Sequence, residues 1–124
     1  MTQARLRTGR VGESFACDLL ERHGARIVAR NSRTRAGEID VVALDGRTLA
    51  FVEVKTIRTG ARSGPERAVL AVGPRKQQQV RRLARAWLAE HRPPSHEAIR
   101  FDVIGISLDP GDHPVTTEHI KNAF

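Results

Sequence analysis

At 124 residues the chain can bury one substantial hydrophobic core but not two, so a single domain over residues 1–124 is expected. Apolar residues make up 40% and charged residues 28%, and no run approaches the roughly 20 apolar residues of a membrane span, which argues against a helical membrane protein. Lys and Arg number 21 against 14 Asp and Glu, and a net charge of +7 points to an anionic partner, nucleic acid ahead of a membrane surface.

One cysteine, Cys17, leaves no internal disulfide and no Cys-rich zinc site. MTQARLRTGR has no apolar leader region, so a cytoplasmic setting is expected.

Residues 9–23 have helical periodicity, with Val11, Phe15, Ala16, Leu19 and Leu20 on one face and Gly24 as a natural stop. RIVARN, residues 26–31, reads as a short strand. Residues 38–44 and 48–56 form two strands around Asp45-Gly46-Arg47. Residues 57–73, with three Gly, one Pro and three Arg, read as a long basic loop with a short ordered patch at AVLAV. Residues 75–91 carry the clearest helical pattern, with Val80, Leu83, Ala84, Trp87 and Leu88 on the apolar side. Pro93-Pro94 ends that helix. IRFDVIGISL, residues 99–108, is a further strand, and VTTEHIKNAF adds an edge strand or a turn. Three strands before a crossover helix imply an α/β fold, a mixed central sheet flanked by helices.

Charges interrupt the hairpin. A two-residue turn at Gly46-Arg47 pairs Asp40 with Glu53, whereas one at Asp45-Gly46 sets Asp40 one diagonal step away. In either register alternation puts Asp40, Glu53 and Lys55 on one face. Two converging carboxylates repel each other and invite a cation. A hard divalent ion such as Mg²⁺ suits oxygen ligands, with the Val54 carbonyl as a further candidate. Lys55 would then orient an attacking water or stabilise charge growing on phosphorus, the pattern of metal-assisted phosphodiester hydrolysis. The plain competing reading is a surface ion-pair cluster.

GRVGESFACDLLERHG, ARNSRTRAGEIDVVALDG, FVEVKT, RKQQQVRRLARAWL, RFDVIGI and IKNAF, in this order along nearly the whole chain, resemble the YraN family of small bacterial proteins. That family is placed among the restriction-endonuclease-like PD-(D/E)xK nucleases, related to Holliday junction resolvases. The resemblance implies a restriction-endonuclease-like αβββαβ core with a Mg²⁺ or Mn²⁺ site at the hairpin. It assigns Asp40 and Glu53 as the acidic pair, Lys55 as the catalytic lysine, and Glu13 as the first-helix glutamate assisting at the metal. A first-turn glutamate favoured by the helix dipole is the simpler reading of Glu13. Related resolvases act as dimers, which makes a homodimer an expectation by analogy alone. Ile57 follows VEVKT where many relatives carry a basic residue, and the loop is longer here.

Lys76, on the apolar side of its helix near the N-terminus, either meets a phosphate or snorkels to solvent. Arg33 and Arg35 before the hairpin, Arg58 and Arg62 in the loop, and Arg81 and Arg85 on the second helix form the candidate nucleic-acid-binding set. Asp102 is either a supporting residue at the site or a buried salt-bridge partner. The five histidines have no ligand spacing. The expected function is a metal-dependent endonuclease acting on DNA, branched or otherwise structured. The alternative is a nucleic-acid-binding module whose nuclease site is silent or partner-dependent.

Overall fold

The computed structural model describes residues 3–59 and 72–124. Seven elements follow in chain order: α1 (Gln3–Arg22), β1 (Arg26–Thr34), β2 (Gly37–Asp45), β3 (Thr48–Arg58), α2 (Pro74–Glu90), β4 (Ala98–Leu108) and β5 (Pro114–Ile120). The expected αβββαβ core is therefore present, with one further strand.

The five strands lie in the order β1-β2-β3-β4-β5. Neighbours run antiparallel except β3 and β4, which are parallel from Thr48↔Ala98 to Arg58↔Leu108. A parallel pair needs a crossover, and α2 supplies it. The two helices then cover opposite faces. Ala16, Cys17 and Leu20 of α1 pack on Val41, Ala43, Ala50, Val52 and Ile104. Val80, Leu83, Ala84 and Trp87 of α2 pack on Ile39, Val42, Leu49, Phe51 and Phe101. Phe51 and Trp87 meet edge to face at 5.8 Å, and the Trp87 indole donates to Ser32 Oγ at 3.0 Å. Burying each such aromatic contributes about 1.5–3 kcal/mol before chain entropy is charged.

Local signals fix the element ends. Gly24 takes φ 92°, a left-handed value that glycine adopts without penalty, and the Ala25 amide closes back on the Leu20 carbonyl at 3.0 Å. The hairpin turn is Gly46-Arg47, with Asp45 opposite Thr48 and Gly46 at φ 62°. This selects the register that aligns Asp40 with Glu53.

Several bounds differ from the sequence reading. Helix α1 begins at Gln3, not residue 9, because QARLRT consists largely of good helix formers but buries little; Leu6 stays 43% exposed. Strand β1 runs on to Thr34. Ile57 and Arg58 belong to β3, held by β4, so the loop starts later than residue 57. AVLAV and Arg62 fall outside the described residues, except Val72, which is buried beside Val103. The tail forms the edge strand, opened by a proline that has no amide to offer a neighbour. Among the described residues no helix is long and apolar enough to cross a membrane.

A candidate metal site at the parting of two strands

The β2–β3 ladder stops at Val41↔Val52. Beyond it, β3 continues to Arg58 against β4 alone, so one edge of β3 is released from Glu53 onward. Alternation along β2 also breaks here. Ile39 and Val42 both pack on the α2 side, whereas Val41 and Ala43 pack on the α1 side. The regular face assignment assumed for Asp40 from sequence therefore fails at Asp40 itself, which lies in the bend.

Asp40 uses that position. Its Oδ2 accepts the Val54 amide at 2.9 Å, taking a donor that a further ladder rung would have used. Strand geometry points the N–H and C=O of one residue to the same edge, so the Val54 carbonyl faces the same gap. Glu53 stands across from Asp40, and the Lys76 ammonium reaches it at 3.2 Å from Oε1. The released edge opens into a cleft of about 720 Å³. Asp40, Glu53, Val54, Lys55, Thr56 and Arg58 line it from the sheet, and Ala4, Thr8 and Gly9 from α1.

Electrostatics mark the same spot. Burial, then the Asp40 charge, raises the Glu53 carboxyl to about 7, with the Lys76 ammonium pulling the other way. Burial likewise raises Asp40, opposed by the Val54 amide and a hydrogen bond with Glu53. Glu13, half-buried on α1, is raised to about 7 by burial and by the charge of Asp40; a hydrogen bond from Asn31 lowers it. Its Oε2 is buried without a hydrogen-bond partner. Three carboxyl groups therefore act on one another through a poorly solvated region, a cluster that favours a bound cation.

The donor set is all oxygen: two carboxylates and the Val54 carbonyl, with Glu13 behind Asp40. Among the described residues, no three or more His, Cys, Asp or Glu form a cation cage by themselves. An all-oxygen set would suit Mg²⁺ or Mn²⁺ better than Zn²⁺, since Mg²⁺ keeps several waters and takes one or two carboxylates from a protein.

The remaining candidates divide. Lys55 and Lys76 come to the site. Arg58 lines the cleft, but its guanidinium bonds Asp112 at 2.6 Å, the Asp109 carbonyl at 3.0 Å and Thr8 Oγ1 at 3.2 Å, tying β3 to α1 and the β4–β5 turn. Arg81 lies over the rings of Phe101 and Phe124. Arg85 is exposed on α2. Arg33 and Arg35 are exposed at the β1–β2 turn, where Glu90 accepts the Arg35 amide, at the opposite end of α2 from Lys76.

Asp102 is a structural partner. It is 0% exposed and bonds Arg100, His119 Nε2 at 2.8 Å and the Asn122 amide at 3.0 Å, fastening the C-terminal residues to β4. Sequence reasoning missed His119 in this role, and also Asn31, which sits at φ 47° beside Glu13. A left-handed turn at an Arg-Asn-Ser step was the one available signal for Asn31.

Comparison with known proteins agrees with the motifs. Similar proteins include one from Frankia casuarinae, 49% identical over 94% of each chain, and one from Geobacter metallireducens, 51% identical over 94% of this chain and 90% of the relative. A third, from Streptomyces griseus, is 45% identical over 95% of this chain and 96% of the relative. Each bears only the family designation. The model of that family, described as uncharacterised, matches residues 12–106, spanning Glu13, the hairpin and α2. The chain belongs to the uncharacterised protein family UPF0102, the YraN family its motifs resemble.

Proposed function

We propose that this protein is a metal-dependent nuclease that hydrolyses DNA phosphodiester bonds, with branched or otherwise structured DNA as the leading substrate. The observation that carries this reading is the Asp40–Glu53 pair at the end of the β2–β3 ladder, sharing one open cleft with Lys55. Asp40, Glu53 and the Val54 carbonyl would hold Mg²⁺ or Mn²⁺, with Glu13 adjusting the charge behind Asp40. The ion, when bound, supplies Lewis-acid polarisation of the phosphate and a more acidic water. Lys55 positions that water or balances charge growing on the phosphoryl oxygens. The exposed arginines of α2 add backbone affinity without sequence readout.

The test is cleavage of a labelled panel comprising four-way junction, flap, nicked duplex, linear duplex and single strand. Wild type, Asp40→Asn and Lys55→Ala are compared in Mg²⁺, Mn²⁺ and EDTA, with binding recorded in parallel. Metal-dependent cutting lost in both variants supports the nuclease and identifies its substrate. Binding without cutting, unchanged in both variants, leaves a nucleic-acid-binding module instead.

A further inference from the structure

Lys76 occupies the first turn of α2 and faces the Glu53 carboxylate. Its side chain is 42% exposed and that of Glu53 12%, so the lysine reaches inward from solvent to Glu53. Among the described residues, the start of α2 carries no side-chain cap: its N-cap is Gly73, and Pro74 follows at the first helical position. Gln77 turns back to the Val72 carbonyl at 3.3 Å, and Lys76 is, among the described residues, the first-turn side chain that reaches a cleft carboxylate.

We propose that Lys76 is a cation-displaced phosphate ligand. It neutralises Glu53 while no divalent ion is bound, and passes to a phosphate of the nucleic acid strand when an ion arrives. This rests on the metal-dependent reading above. With a divalent ion held by Asp40 and Glu53, the attraction that holds the Lys76 ammonium would be cancelled and the ammonium would be repelled at close range. An incoming phosphate restores negative charge beside both cations, at the N-terminal end of α2, where the helix dipole favours an anion. Cation and phosphate binding are then coupled through Lys76, and each raises the affinity for the other by the same factor. A lysine that merely snorkels to solvent leaves both affinities independent of its charge.

The test uses the whole chain in wild-type, Lys76→Gln and Lys76→Arg forms, each checked by thermal melting. Lys76→Met serves as a second uncharged variant. Calorimetry without nucleic acid measures Mn²⁺ and Ca²⁺ affinity. Fluorescence anisotropy then measures binding of a labelled duplex with and without Ca²⁺. Removing the internal competitor should tighten Mn²⁺ binding about 2- to 5-fold in Lys76→Gln, the range of a partly exposed ion pair, while Lys76→Arg stays near wild type. The gain in duplex affinity produced by Ca²⁺ should shrink in Lys76→Gln by a similar factor. Equal or weaker Mn²⁺ binding in Lys76→Gln, or an undiminished gain, overturns this inference alone. Absence of Mn²⁺ binding in the wild type overturns it together with the metal-dependent reading.

Discussion

The Val54 amide and the Asp40 carboxylate meet at 2.9 Å one step beyond the last rung of the β2–β3 ladder. That bond needs an acceptor oxygen, whereas holding a cation needs charge, so the two roles of Asp40 are separable.

Asp40→Asn keeps an oxygen for Val54 and removes the charge. Its melting temperature should match or exceed that of the wild type, because a buried repulsive charge is lost. Cleavage should fall by at least about 10²-fold, the scale for removing one electrostatic group from a reacting centre. Asp40→Ala should also cost about 1–3 kcal/mol of stability by leaving the Val54 amide unpaired. Melting and single-turnover cleavage on the same preparations separate the two effects.

Stability should decline as pH rises from about 5 to about 8. Glu13 and Glu53 are both raised from 4.5 to about 7, with burial the leading cause. A raised carboxyl binds its proton more tightly in the folded chain, so its contribution is complete below 4.5 and disappears as pH climbs through about 7. Glu53→Gln should flatten the decline, and Mn²⁺ should restore stability to the wild type at pH near 8. A melting profile of the wild type that rises across this window would contradict the assignment.

Gly12 shows why α1 lies so close to the site. A Cβ added there would overlap the Thr56 hydroxyl and stand 2.9 Å from Thr56 Cβ and Cγ2. The helix tolerates glycine at a cost of about 1 kcal/mol because the sheet leaves room for nothing larger. Gly12→Ala should destabilise by about 1–3 kcal/mol, and adding Thr56→Ala should recover much of it. Urea unfolding of the single and double variants measures both.

Arg85 and Arg58 should fail in different ways. Arg85 is exposed on α2, so Arg85→Ala should weaken DNA binding uniformly and reduce the log–log salt slope by about 1. Arg58 is committed to Asp112, Asp109 and Thr8, so Arg58→Ala should appear first as lowered stability. Salt-titrated anisotropy beside thermal melts distinguishes them. A loss of salt slope in Arg58→Ala at unchanged stability would overturn its role as a tie.

The sequence revealed what repeats and hid what bends. Buried faces recur at fixed spacing, so Leu20, Phe51 and Trp87 were legible as core, and the hairpin that carries Asp40, Glu53 and Lys55 was legible from its two apolar runs around a glycine turn. Two registers remained open because Asp45-Gly46 and Gly46-Arg47 both make acceptable turns and both keep the same faces; the structure takes the second, with Asp45 opposite Thr48. The break at Asp40 was illegible because alternation assumes a regular strand. Lys76 was placed near the site by its helix, but its partner Glu53 lies across a crossover no local pattern encodes. His119 joins Asp102 by the same long-range route.

The two strands part where β2 bends. Ile39 packs on the α2 side and Val54 on the α1 side, so the pair that would follow Val41↔Val52 is split between faces. Asp40 closes the end of the ladder by accepting the Val54 amide. The opening is therefore a zipper finished off by a side chain, and the same carboxylate that ends it offers an oxygen to whatever enters. Any substitution that releases the amide without replacing that oxygen leaves the wall of the cleft with an unpaired donor, so the shape of the site and its chemistry would be lost together.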